Sequence, residues 1–125
     1  MSGSMTSRMI CVEADGKTMT ATLEDNSSAD ALWDMLADGP MGIRMDDYMG
    51  MEKVGDLGKD LPRNDRQTKT GPGDIILYLG RNLVIYYDRN SWSFTRIGKV
   101  EGATKGSMLD ILGDGSVTVT LSRAE

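Results

Sequence analysis

Two apolar runs of five residues, 75–79 and 83–87, are separated only by Gly80-Arg81-Asn82. Short runs rich in Ile, Val and Tyr that flank a Gly/Asn turn are typical of a β-hairpin. Neither run alternates with polar residues, so we expect both faces of this hairpin to be covered. In an antiparallel protein this arises when a closed barrel buries one face and a helix or loop covers the other. The segment therefore favours a mainly β protein built around a barrel.

The rest of the chain predicts further strands and two short helices. Asp15-Gly16, between strand-like residues 9–14 and 17–23, is a strong signal for a type I′ hairpin turn. Ser27 and Ser107 each begin a capping-box-like pattern followed by apolar residues at helical spacing, which predicts helices near 28–37 and 107–112. Alternating apolar residues predict a last strand over 116–121. The total is about six to eight strands.

Residues 50–73 are polar and broken by Gly and Pro, and residues 41–49 before them have an extended pattern. Such a composition provides few apolar contacts for a regular element, so we predict a mostly irregular loop across one opening of the barrel. Long irregular segments inside a compact domain often carry function. This loop is therefore the first place to look for a site.

Composition limits the class of protein and its partners. The 125 residues suit one domain, which we assign to 8–125, with 1–7 as an N-terminal tail or cloning remnant. The net charge of −5 and the absence of a Lys/Arg cluster argue against nucleic acid and anionic membranes as partners. No apolar stretch approaches the roughly 20 residues that span a bilayer, and no secretory signal is visible. The single Cys11 is compatible with a reducing environment, so we expect a cytoplasmic protein.

The sequence contains no histidine. This removes Ser-His and Cys-His nucleophile pairs, the commonest transition-metal ligand and the usual general base near neutral pH. Asp46-Asp47 lacks the ligand spacing of a calcium loop. We therefore predict no metal and no cofactor, and the sequence identifies no catalytic residue.

Six residues are the candidates for ligand binding. Four lie in segment 48–66, and the other two lie on a strand whose Trp92, Phe94 and Arg96 share one face. Surface ion pairs are the ordinary role for such charges, but a loop beside an aromatic strand can form a concave site. We predict a groove between segment 48–66 and strand 92–96, with these residues as ligand contacts: Tyr48, Glu52, Lys53, Asp56, Trp92 and Arg96.

Two other groups of residues are either core or ligand wall. Met45, Met49 and Met51 form a Met-rich patch, and flexible core filling is its ordinary explanation. Three tyrosines of the central hairpin could extend an aromatic surface, although core packing is again the ordinary explanation. These tyrosines are Tyr78, Tyr86 and Tyr87.

Residues 16–32, 48–65 and 71–100 together resemble the bacterial cyclophilin-like proteins, distantly related in fold to the cyclophilins. The resemblance implies a closed or nearly closed eight-stranded β-barrel with a helix at each end. True cyclophilins isomerise X-Pro bonds with a strand arginine surrounded by aromatic, Gln and His groups. This chain has no His and a single Phe, Phe94, and Arg44 does not match the arginine motif. The resemblance thus implies the fold without implying the activity.

Three functional hypotheses follow. The first is a binding module that holds a peptide or small molecule at a barrel mouth or groove without catalysis. The second is a prolyl isomerase of weak activity, since lowering a barrier of roughly 18–20 kcal/mol requires no nucleophile. The third is a cofactor-free enzyme that uses Glu, Asp, Tyr or Lys on a small metabolite. We favour the first, and leave the oligomeric state open.

Overall fold

Nine strands and two helices make up the computed structural model, which describes residues 8–124. The strands are β1 (Met9–Ala14), β2 (Lys17–Leu23), β3 (Met41–Tyr48), β4 (Glu52–Asp56), β5 (Arg66–Thr70), β6 (Asp74–Tyr78), β7 (Asn82–Tyr86), β8 (Asn90–Val100) and β9 (Val117–Arg123). The helices are α1 (Ser27–Met35) and α2 (Lys105–Leu112). The predicted tail 1–7 lies outside the described residues. Neither helix in this part of the chain is long and apolar enough to span a membrane.

Eight of the strands form a closed ring in the order β2-β1-β9-β3-β4-β7-β6-β8. The pairing of β2 with β8, from Ala21↔Val100 to Leu23↔Gly98, closes it. Every paired neighbour is antiparallel. The predicted mainly β fold, a closed barrel of about eight strands with two short helices, is confirmed.

Hairpin turns join three of the neighbouring strand pairs in this ring. Asp15-Gly16 connects β1 to β2 with φ values of 53° and 80°, as the Asp-Gly dipeptide predicted. Residues 79–81 connect β6 to β7, with φ values of 55° at Leu79 and 73° at Gly80. Residues 49–51 connect β3 to β4, with φ values of 56° at Met49 and 64° at Gly50. Each turn thus combines a non-glycine residue at positive φ with a following glycine.

The central hairpin β6–β7 buries both of its faces, as its apolar runs predicted. Ile75 and Ile85 belong to the main core inside the barrel, to which Leu32 of α1 and Met108 of α2 also contribute. The outer face carries a second apolar cluster, formed by Ile76, Val84, Tyr86 and Phe94. Its cover comes from neighbouring strands rather than from the helix or loop that we expected.

The prediction that segment 50–73 contains no regular element of its own is wrong. Strand β4 lies inside it and forms part of the barrel wall, between β3 and β7. Strand β5 also lies inside it and pairs with the first half of β8. Charged or polar residues occupy most positions of both strands, which concealed the β pattern. The longest irregular stretch is residues 57–65, with short connections at 50–51 and 71–73.

Both helices begin one or two residues before the predicted position. The N-cap of α1 is Asn26, whose side-chain oxygen accepts a hydrogen bond from the Ala29 N–H at 2.8 Å. The N-cap of α2 is Thr104, and Ser107 completes its capping box as the third helical residue. In both cases the capping chemistry was recognised in the sequence, but at the wrong residue.

Candidate functional site

Strand β8 changes partners along its length. Its second half pairs with β6 and, at the closure of the barrel, with β2. Its first half pairs only with β5, from Arg66↔Phe94 to Thr70↔Asn90. We call this two-stranded unit, β5 with residues 90–94, the arm. The arm extends from the barrel next to the outer faces of β6, β7 and β4.

A cavity of about 460 Å³ is lined by the arm and by these outer faces. We call it the groove. Its apolar residues are Met49, Met51, Val54, Val84 and Phe94. Its aromatic residues with a polar edge are Tyr48, Tyr78, Tyr86 and Trp92, and its remaining polar residues are Glu52 and Asn90.

The groove has a buried floor and an exposed rim. Val84, Tyr86 and Phe94 are almost fully buried, and the Tyr86 and Phe94 rings pack at a tilt with centroids 5.9 Å apart. At the rim, Tyr48 is 56% and Trp92 59% exposed. Large apolar side chains left in water beside an apolar cavity are typical of a binding surface.

Glu52 carries the only carboxyl group among the described residues that line the groove. It is 7% exposed, and it lies opposite Tyr86 in the β4–β7 pairing. Burial raises the pKa of Glu52, and the negative charge of Asp47 raises it further, while hydrogen bonding to Tyr86 lowers it. Among residues 8–124, no Lys or Arg forms an ion pair with Glu52. The carboxyl group therefore lies in an apolar site without a compensating cation.

Tyr86 is held beside Glu52 as a neutral phenol. Its hydroxyl accepts a hydrogen bond from the Asn90 side-chain amide at 2.9 Å. Burial raises the pKa of Tyr86 far above its usual value. The Tyr86 hydroxyl keeps its proton near neutral pH and can donate it in a hydrogen bond.

Lys53, a predicted ligand contact, does not reach the groove. It follows Glu52 in β4, and successive side chains of a strand point to opposite faces. Its ammonium group is fully buried and donates to the Gly115 carbonyl at 2.6 Å and to Asp47 Oδ1 at 3.2 Å. The Tyr87 hydroxyl donates to the same Asp47 oxygen, and this bond is the main cause that lowers the pKa of Asp47.

Asp56 and Arg96 also lie away from the groove. Asp56 is exposed at the far end of β4, where it accepts a hydrogen bond from the Gly58 N–H and pairs with Arg81 at 3.1 Å; both interactions lower its pKa. Arg96 donates to the Lys69 carbonyl at 3.0 Å and pairs with Asp74 at 3.4 Å. It lines a smaller, polar cavity of about 190 Å³ instead.

The structure therefore brings together Tyr48, Glu52 and Trp92 and separates them from the other three predicted contacts. The groove also includes Met49, Met51, Tyr78 and Tyr86, which the sequence left open between core and ligand wall. Tyr78 and Tyr86 alternate with inward-facing residues of the central hairpin, so strand periodicity could have assigned them to the outer face. Nothing in the sequence indicated Val84 or Asn90.

Arg44 has no place in the groove either. It lies on β3 opposite Thr118 of β9, and its side chain is exposed. None of the described residues that line the groove is Lys or Arg. The groove thus contains no guanidinium group of the kind that true cyclophilins use.

By its architecture, the protein is a closed antiparallel β-barrel with an apolar groove on its outer wall. The sequence matches the model of the Cyclophilin-like family over residues 12–122. The chain therefore belongs to the cyclophilin-like family.

One solved structure of the same fold is the solution structure of the hypothetical protein AF2241 from Archaeoglobus fulgidus. Its TM-score is 0.64 at 14% identity, and the match covers 99% of this chain and 100% of that one. At this identity the similarity concerns the fold alone. No curated protein is significantly similar in sequence.

Proposed function

We propose that this protein is a binding module that holds a small organic molecule in the groove and catalyses no reaction on it. The observation that carries the proposal is the composition of the groove: an apolar floor, exposed aromatic side chains at the rim and one carboxyl group. Small-molecule sites combine a mostly apolar lining with a few convergent polar groups in this way. The cavity volume of about 460 Å³ also lies in the range of such sites.

The same lining supports binding rather than catalysis. Of the described residues in it, one carries a carboxyl group, and none carries a positive charge that could stabilise a developing negative charge. Burial raises the pKa of Tyr86, so its phenol keeps its proton near neutral pH and cannot accept one as a general base. The volume favours a small molecule over an extended peptide.

A thermal-shift screen of metabolites and short proline peptides tests this proposal, because a ligand that binds the folded state stabilises it. Hits are then mapped by NMR on the backbone amides of residues 48–54 and 90–94. We expect small-molecule hits that move these resonances and lose at least about tenfold in affinity in Trp92→Ala.

The control variant is Met9→Ala, which removes another exposed apolar side chain, on β1 and outside the groove. We expect it to keep the wild-type affinity. Hits that move only resonances outside the groove, or a screen that yields no hit, would contradict the proposal. If only peptides bind, the groove is a peptide-binding site and the proposed ligand class, a small organic molecule, is wrong.

A further inference from the structure

We propose that the groove selects a small molecule with one positively charged amine on an apolar body. This inference rests on the proposed binding function and adds the chemical class of the ligand.

The charge of the lining is unbalanced. Glu52 is 7% exposed and lines the groove, where the described residues include no Lys or Arg. The cation nearest to it in sequence, Lys53, points to the other face of β4 and is already bonded to Asp47 and Gly115. A buried carboxylate without a counter-ion is costly, and a charged hydrogen bond from a ligand ammonium group would offset that cost.

The aromatic side chains of the groove favour the same ligand. Tyr48 and Trp92 stand at the rim, and Tyr86 lies on the floor next to Glu52. The faces of aromatic rings attract cations, and they also provide apolar contact for the body of the molecule. Met49 and Met51 supply flexible apolar contact beside them.

Anionic ligands are disfavoured by the same features. An anion in the groove would lie close to the Glu52 carboxylate with no donor cation to receive it, and the whole chain has a net charge of −5. Neutral ligands would leave the carboxylate without a counter-ion. An ammonium ligand is therefore the class that complements the lining.

Binding of an ammonium ligand should depend on pH. Tyr86 of β7, which is neutral, lies opposite Glu52, and Tyr78 of β6 lines the same groove. Asp47 of β3 lies on the other face with Lys53, and its negative charge adds to the effect of burial in raising the pKa of Glu52. Asn90 and the rim residue Tyr48 complete the polar surroundings. An ammonium ligand requires the ionised carboxylate, so its affinity should rise with pH through the pKa of Glu52.

Three probes with the same ring and similar chain length test the inference: 2-phenylethylamine, 2-phenylethanol and 3-phenylpropanoate. Each is titrated into the full chain near neutral pH, and dissociation constants are taken from the NMR shifts of residues 48–54 and 90–94. We expect the amine to bind at least about tenfold more tightly than the alcohol, and the carboxylate to bind most weakly.

Glu52→Gln should abolish the preference for the amine and leave the affinity for the alcohol within about threefold. Glu101→Gln, which removes an exposed carboxylate outside the groove, should change neither. If Glu52→Gln does not fold, the wild-type protein gives the same answer, because the preference for the amine should disappear as the pH falls below the pKa of Glu52.

Alcohol or carboxylate binding as tight as amine binding would overturn this inference and leave the proposed function in place. A preference for the amine that survives in Glu52→Gln would overturn it as well. If none of the three probes binds, the inference fails, and the outcome of the library screen decides the proposed function separately.

Discussion

At the scale of single residues, Glu52 and Lys53 show how strand geometry separates two adjacent charges. In the sequence they form one charged pair inside a polar segment, which predicts a solvated loop. In β4 one side chain lines the outer groove and the other is buried on the opposite face. Composition alone could not show which of the two side chains lines the groove and which is buried on the opposite face. Apolar residues are usual at both positions, and each holds a charged side chain instead.

Lys53→Met should destabilise the protein by about 2–4 kcal/mol. The substitution keeps the length of the side chain but leaves the Gly115 carbonyl and Asp47 without the donor that now lies 2.6 Å and 3.2 Å from them. Urea unfolding measures the loss. Lys99→Met, which changes an exposed lysine of β8, should remain within about 0.5 kcal/mol of the wild type. Equal stability of the two variants would contradict the structural role of Lys53.

Glu52 should make the wild-type protein less stable as the pH rises. Its pKa is raised in the folded state, so the native protein holds more protons than the unfolded chain between the usual carboxyl pKa and the raised value. In that interval the free energy of unfolding falls with increasing pH. Glu52→Gln removes this term and should be more stable near neutral pH by roughly 0.5–2 kcal/mol.

The measurement is the difference in unfolding free energy between Glu52→Gln and wild type, from about pH 3 to about pH 8. The pKa of Asp47 is lowered, so Asp47 contributes stability that is lost as the pH falls through its folded pKa. This term is common to both proteins and largely cancels in the difference. A difference that does not grow with pH would contradict the raised pKa of Glu52.

At the scale of elements, local chemistry predicted the hairpins and helices well. The Asp15-Gly16 turn agrees with the structure, and the two apolar runs form β6 and β7, each one residue earlier than predicted, with Leu79 in the turn. These features were predictable because turn residues and apolar patterns are decided locally. Strands β4 and β5 were missed because their β structure depends on pairing partners distant in sequence. Such pairing overrides the low β propensity of charged residues.

Closure of the barrel depends on a close approach of β2 and β8 at Gly98. A Cβ atom there would lie 2.7 Å from the Thr22 carbonyl oxygen, and backbone cannot move away as a side chain can. We expect Gly98→Ala to destabilise the protein by about 1–3 kcal/mol, the usual cost of overpacking.

Gly42→Ala on β3 is the matched control, since the nearest atom to its added Cβ is Thr118 Cγ2 at an ordinary 3.9 Å. It should cost nothing or stabilise the protein slightly by restricting the unfolded chain. Thermal unfolding of both variants, with urea unfolding for the free energies, tests the comparison. Equal effects of the two substitutions would argue against tight closure at Gly98.

At the scale of the whole molecule, the composite groove was predicted from the sequence in outline. Tyr48, Glu52 and Trp92 were expected to meet and do line one cavity. Asp56 and Arg96 share the outward direction of these residues, but each lies further along its strand and pairs with another charge. The position of a side chain along a barrel wall depends on strand register and on the partner change of β8, which sequence periodicity does not determine.

The whole molecule also bears on prolyl isomerase activity, which we predict to be at least about a hundredfold below that of ordinary cyclophilins. The barrier to rotation is roughly 18–20 kcal/mol, and one well-placed donor is worth a factor of about 10² to 10³. The described lining of the groove includes no arginine to act as that donor, because Arg44 lies on β3 and Arg96 is bonded to Asp74 and Lys69.

A protease-coupled assay on a proline peptide, with an ordinary cyclophilin in parallel, measures this activity. A rate comparable to that of the cyclophilin would overturn the prediction and with it the proposal of binding without catalysis. In that case the variants Arg44→Ala and Arg96→Ala would show which of two places on the protein carries the activity. Loss of rate in Arg96→Ala would point to the polar cavity beside the arm, whereas loss in Arg44→Ala would point to the exposed face of β3.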